Sequence, residues 1–127
     1  MHFMKEKLKI LITGGAGYIG SHTAVSLIKA GYEPIIVDNY CNSQEWILDQ
    51  LKELTGEKIK NYNCDCTDIN ELDKIFEEEN FGGIIHFAAL KAVGESVSKP
   101  LDYYKNNVGS LMNILEMIIY LLMKSIQ

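Results

Sequence analysis

The sequence is poor in features that mark several functional classes, and each shortage excludes something. Two prolines in 127 residues leave no proline-rich linker, and no repeat or low-complexity segment interrupts the chain. Cysteine is scarce: Cys41, Cys64 and Cys66 are odd in number. Cys-Asp-Cys has no partner pair at a zinc spacing, so free thiols in a reducing compartment are expected. No basic tract occurs. Lys and Arg total 12 against 17 Asp and Glu, a formal net charge of −5, so the electrostatic footprint of nucleic-acid binding is missing. Residues 1–7 contain no apolar h-region, so no signal peptide is expected, and a cytoplasmic setting is. The longest apolar stretch, residues 114–123, is interrupted by Glu116 and is shorter than the roughly 20 residues of a bilayer span. No membrane association is expected. The length suggests one domain over residues 1–127.

Glycine is ordinary in total but concentrated in place. The stretch TGGAGYIGSH, residues 13–22, holds four of the ten glycines and follows the apolar run Leu8-Lys9-Ile10-Leu11-Ile12. Such a cluster is either a loose turn or a backbone bent to admit a phosphate. Its surroundings bear on the choice. Residues 8–12 read as a short buried strand. Residues 18–30 read as a helix with Ile19, Thr23, Leu27 and Ala30 on one face, stopped by Gly31. Pro34-Ile35-Ile36-Val37 is a second buried strand ending at Asp38. Residues 44–54 look helical, with Trp46, Leu48, Leu51 and Leu54 as apolar contacts and Gly56 as the stop; Trp46 is assigned to the core. Residues 58–63 form a weaker third strand. Asp68 caps a helix over residues 69–79 that buries Ile69, Leu72, Ile75 and Phe76, and Glu77-Glu78-Glu79 reads as its solvated end. Gly83-Ile84-Ile85-His86-Phe87 is a fourth strand. Residues 88–99 are a loop with helical turns, and Pro100 opens a last helix reaching about residue 124.

Alternating elements with near-continuous apolar strands predict an α/β fold, a doubly wound parallel sheet in the order 3-2-1-4. Gly14, Gly17 and Gly20 then lie between the first strand and the first helix, where this architecture places a pyrophosphate. Gly14 would allow the tight turn, Gly17 the approach of a diphosphate to backbone N–H groups, and Gly20 close packing of helix on strand. Asp38, 18 residues past Gly20, is placed to accept hydrogen bonds from a ribose and to repel a 2′-phosphate, which favours NAD over NADP. The same residues also read as a turn without ligand and a strand-end cap. His22 and His86 read as packing histidines, and Tyr103 and Tyr104 as packing and cleft-wall residues.

TGGAGYIGSH, IIVDNYCNS and IIHFAALKAVGESVSKPLDYYKNN resemble the extended short-chain dehydrogenase/reductase family over about residues 8–116. HFAALKAVGESV followed by KPLDYYKNN narrows the likeness to its nucleotide-sugar 4-epimerases. The resemblance implies an isomerase that holds NAD, takes a UDP-sugar as small-molecule substrate and serves galactose metabolism; association as a homodimer is left open. It implies that Gly14, Gly17, Tyr18, Ile19 and Gly20 surround the pyrophosphate. Asp38, Asn39, Cys41, Asn42 and Ser43 would hold the adenosine ribose, and Asp65 and Cys66 would border the adenine. Phe87, Ala88, Ala89, Leu90 and Lys91 would line the cofactor towards the nicotinamide, with Asn106 along the same cleft. Lys91 beside phosphate oxygens is chemically sensible; it also reads as an exposed loop lysine. Two alternatives stay open: another extended member, such as a 4,6-dehydratase or a uronate epimerase, and a binding module without chemistry.

The family's base is a tyrosine with a lysine four residues later, drawn from a fifth strand and the helix after it. The sequence stops short of these, so an incomplete Rossmann-type half is expected, inactive alone and without a substrate domain. No catalytic residue and no metal ligand is assigned. Tyr120 alone has a lysine at +4, Lys124, outside the family's context, and reads as coincidence. Asn107-Val108-Gly109-Ser110 lacks a variable residue that the family usually carries, and MIIYLLMKSIQ after Glu116 departs from its pattern. The uncovered flank of the first and fourth strands and the apolar last helix predict an exposed patch favouring self-association.

Overall fold

In the computed structural model of the chain, residues 6–40, 46–89 and 93–126 are described. The elements alternate: β1 Lys9–Thr13, α1 Tyr18–Lys29, β2 Glu33–Asp38, α2 Trp46–Thr55, β3 Lys60–Asn63, α3 Ile69–Glu78, β4 Phe81–His86, α4 Val93–Ser98 and α5 Pro100–Ile126. The four strands are parallel, in the order β3-β2-β1-β4. Thr13 pairs with Val37 and His86, and Asp38 with Asn63, so the strands end near one row.

Period-two alternation sends successive apolar residues to opposite faces, and both faces are covered. Leu11 and Val37 join Leu72, Ile75 and Phe76 of α3 and Ile114 and Met117 of α5. Ile12 and Ile36 join Ala24 of α1 and Leu51 of α2. Each fully buried Leu or Ile contributes about 1.5–3 kcal/mol, so the sheet centre is the firmest part of the molecule. Positive φ at Gly31 and Gly56 marks the ends of α1 and α2. Asp68 caps α3 by accepting from Asn70 N–H at 3.1 Å and Glu71 N–H at 3.2 Å.

Several expectations are corrected. The buried face of α1 carries Gly20 and Ala24, not Ile19, because Gly20 is the residue pressed onto the strand loop. Trp46 is 53% exposed and Leu54 also faces solvent; Leu51 is the buried residue of α2. The fourth strand starts two residues early, at Phe81, while the helical turns expected in the following connection are present as α4.

Glu79 is no solvated end. It is 3% exposed and accepts from Lys9 Nζ at 2.8 Å, Tyr62 OH at 3.0 Å and Lys60 Nζ. Burial would raise its pKa, but the bonds from Lys60, Lys9 and Tyr62 prevail and hold it at about 2. Burial, with Glu78 and Glu79 as acceptors, pushes Tyr62 up to about 12. This cluster joins β1, β3 and the end of α3.

The last helix opens at Pro100 as expected and runs to Ile126; by length and composition alone Pro100–Ser125 could cross a membrane. Here Ser110, Ile114 and Met117 are buried, while Leu111, Met112, Leu115, Ile119, Leu122 and Met123 are exposed. The expected apolar patch is therefore present. Tyr120 and Lys124 face each other as ring and cation at 5.9 Å and line a groove with Asp73, Phe76 and Glu77 of α3. That groove is not at the strand ends.

Candidate functional site

The glycines after β1 do three different things. Gly14 has φ +67°, which a Cβ disfavours. A Cβ there would also lie 2.8 Å from Ala88 N, so the turn touches the chain leaving β4. Gly20 faces the Gly14 carbonyl, and an added Cβ would stand 2.7 Å from Gly15 Cα. Gly17 is the N-cap of α1 in extended backbone, where a Cβ would meet only Gly14 O, at 3.3 Å. Of the three, Gly17 is thus the glycine whose added side chain would meet the fewest atoms. Past it, α1 begins with no side-chain cap and no acidic residue in its first turn. Its free N–H groups and dipole end make a site suited to an anion. Tyr18 and Ile19, exposed in that turn, flank it.

Asp38 ends β2 and is buried. Its Oδ2 accepts Ala16 N–H at 3.1 Å and its Oδ1 accepts Tyr40 N–H at 2.7 Å. One carboxylate therefore links the second strand to the glycine turn. Asn39, exposed, follows it. The Asp38 carbonyl takes Cys64 N–H at 3.2 Å, bringing the connection after β3 alongside. There Asp65 is exposed and Cys66 buried. Burial pushes the thiols of Cys64 and Cys66 up to about 12, so neither is a nucleophile at neutral pH.

On the other side, Thr13 Oγ1 accepts Phe87 N–H at 3.1 Å and Ala88 N–H at 3.3 Å. Its own proton then points to His86 Nδ1, 2.6 Å away. This places the ring proton on Nε2, facing Ser110 Oγ at 3.5 Å. Burial lowers the His86 pKa, in keeping with a neutral ring. His86 is the packing histidine expected, and it secures the chain that runs through Phe87, Ala88 and Ala89. Asn106, part-buried on α5, donates to Asn107 Oδ1 at 3.0 Å. His22 rests edge-on against the Tyr18 ring.

The structure thus brings Gly14, Gly17 and Gly20 together with Asp38 and Ala88 at the strands' carboxyl ends, the crevice where doubly wound sheets take ligands. Cys41, Asn42, Ser43, Leu90 and Lys91 lie outside the described residues. Three contributors were not anticipated: the Ala16 amide, Thr13, and Asn113, whose amide reaches Cys66 O at 3.0 Å. For Thr13 the sequence held a signal, a polar residue closing an apolar strand.

A family model described as GDP-mannose 4,6 dehydratase matches residues 11–126. The chain belongs to the GDP-mannose 4,6 dehydratase family. Within this family it is 51% identical over 107 residues to the UDP-glucose 4-epimerase of Schizosaccharomyces pombe, covering 84% of this chain and 30% of that protein. It is 54% identical over 110 residues to the UDP-glucose 4-epimerase of Neisseria meningitidis serogroup B, covering 86% and 32%. The crystal structure of UDP-glucose 4-epimerase from Bifidobacterium longum in complex with NAD+ and UDP superposes with a TM-score of 0.85 at 44% identity, over 88% of this chain and 33% of that one. The chain spans about a third of the length of the relatives it matches. The family model's description names a dehydratase and these relatives are epimerases, so membership establishes the scaffold and leaves the reaction to the site.

Proposed function

We propose that this chain is the NAD-binding portion of a UDP-glucose 4-epimerase, a cytoplasmic isomerase that interconverts UDP-galactose and UDP-glucose in galactose metabolism. The observation that carries this is the joining of Asp38 to the Ala16 amide beside the open face of Gly17. A diphosphate at Gly17 and a ribose at Asp38 would then be neighbours. On this reading Gly14, Gly17, Tyr18, Ile19 and Gly20 surround the pyrophosphate. Asp38, Asn39, Cys41, Asn42 and Ser43 hold the ribose, and Asp65 and Cys66 border the adenine. Phe87, Ala88, Ala89, Leu90, Lys91 and Asn106 line the way to the nicotinamide.

Held by these residues, NAD would supply reversible hydride transfer at sugar C4. The residues of this chain bind and orient; they supply no base for the sugar hydroxyl. Residues 1–127 form one domain that alone catalyses nothing, because base and substrate must be held together for the reaction. Its partners are a UDP-sugar in the complete enzyme and a second copy of the chain, which the exposed apolar side of α5 supports. The family model's name favours one other reading, a 4,6-dehydratase acting on a different nucleotide sugar. The relatives at 51–54% identity weigh against it.

Calorimetric titration of the chain with NAD and with NADP tests the binding. NAD should bind at least about tenfold tighter, because a 2′-phosphate would meet the Asp38 carboxylate. A preference for NADP refutes the role of Asp38, and no binding of either refutes the proposal.

A further inference from the structure

α5 makes a side-chain hydrogen bond to the far side of the crevice. Asn113 lies one turn beyond Ser110, and its Nδ2–H donates to the Cys66 carbonyl at 3.0 Å, across 47 positions of chain. Cys66 belongs to the connection between β3 and α3. That connection is held at its start by Cys64 N–H on the Asp38 carbonyl. Inside it, Asp65 Oδ1 takes both Thr67 N–H at 2.9 Å and Thr67 Oγ1–H at 2.7 Å, and Asp65 O takes Asp68 N–H at 2.9 Å. Residues 64–68 are therefore tied at both ends and braced internally. The bond from Asn113 is the tie from the element that packs over them. Among the described residues both bonds accepted by the Asp65 side chain fall on Oδ1, which leaves Oδ2 open to a ligand.

We propose that Asn113 is a positioning residue: by holding the Cys66 backbone it sets the Asp65 carboxylate to accept the exocyclic amine of adenine. The inference rests on the NAD-binding reading above. A loop that samples other positions lowers apparent affinity by the fraction of time it is correctly placed. One hydrogen bond of about 1 kcal/mol corresponds to about a fivefold change in that fraction.

The experiment is calorimetric titration of the full chain with NAD and with nicotinamide hypoxanthine dinucleotide, in which a carbonyl replaces the adenine amine. Both ligands share the pyrophosphate and ribose contacts. In Asn113→Leu, which keeps the size and removes the donor, NAD should bind about fivefold more weakly. The hypoxanthine analogue should bind unchanged, so the discrimination between the two collapses. Asn113→Ser, smaller and free of misfit, is a second variant with the same expected pattern, and circular dichroism melts show that each is folded. In an Asp65→Ala background, Asn113→Ser should have no further effect on NAD. Equal weakening of both dinucleotides, or none of either, assigns Asn113 a purely structural role and overturns the proposal. An unaltered chain that binds neither dinucleotide overturns the NAD reading itself, and this inference with it.

Discussion

Replacing Gly17 by alanine separates binding from folding. The backbone there has φ −76° and ψ 177°, a conformation any residue adopts. The added methyl would touch one atom, Gly14 O at 3.3 Å, and a shift of a few tenths of an ångström relieves it. Against that small cost, alanine restricts the unfolded chain and contributes about 0.4–1 kcal/mol. Stability should therefore stay within about 1 kcal/mol of the parent. The methyl occupies the space through which a diphosphate reaches the N–H groups of the turn. Losing one charge-assisted hydrogen bond there costs about 1.5–3 kcal/mol, so NAD should bind at least about tenfold more weakly. Gly20→Ala is the contrast. Its methyl meets the Gly14 carbonyl and Gly15 Cα, backbone on both counts, and overpacking of that kind costs about 1–3 kcal/mol of stability. Urea unfolding and calorimetric titration of the two variants give the comparison. A Gly17→Ala chain that binds NAD as tightly as the parent, or that unfolds as readily as Gly20→Ala, refutes the assignment of the open glycine.

Two further outcomes concern pH. Glu79 has a folded pKa of about 2, below the ordinary value of about 4.3 for an unfolded chain. The unfolded chain thus binds the proton first, so the stability Glu79 contributes is complete above about pH 5 and lost as pH falls towards 2. Glu79→Gln should cost about 2 kcal/mol in urea unfolding at pH 7 and flatten that acid limb; an unchanged midpoint removes the cluster from the account of stability. The His86 pKa is also depressed, by burial, below the ordinary 6.5. Its contribution is complete above about pH 6.5 and declines as pH falls below that value, since a second ring proton would confront the Thr13 hydroxyl. His86→Asn should remove this slope between pH 7 and 5, and a slope that persists shows that another group is responsible.

The centre of the sheet was legible in the sequence because β1 and β2 are nearly unbroken apolar runs ended by glycine or aspartate, signals that survive without tertiary context. The Gly14 turn and the Gly20 packing were legible for the same reason: each depends on what a Cβ would do next to a strand end. Glu79 was not. Three consecutive glutamates read as a solvated end, and only the parallel register brings Lys9 and Lys60 to the same carboxylate. The face of α1 was misjudged by one position because hydrophobicity favoured Ile19, whereas contact distance favoured the residue with no side chain. Trp46 illustrates the limit of composition, since nothing local distinguishes a core tryptophan from one left at a helix start. The bond from Asp38 to Ala16 joins residues 22 apart and needs the turn's path to be known.

That bond also explains why one aspartate can serve both fold and ligand. A carboxylate offers about four acceptor positions. Asp38 commits one on each oxygen to the main chain, at Ala16 and Tyr40. The second commitment holds Tyr40 at φ +61°, a conformation that costs about 1–3 kcal/mol for a residue with a side chain. The fold therefore sustains local strain to keep the carboxylate in one orientation. Among the described residues no other side-chain bond to it is seen, which leaves two acceptor positions for the two hydroxyls of a ribose. Because folding has already ordered the side chain, binding does not bear that entropic cost. A strand-end cap alone would account for the bond to Tyr40. The bond to Ala16 is what aligns the carboxylate with the glycine turn, and it is the reason to regard the two as halves of one site.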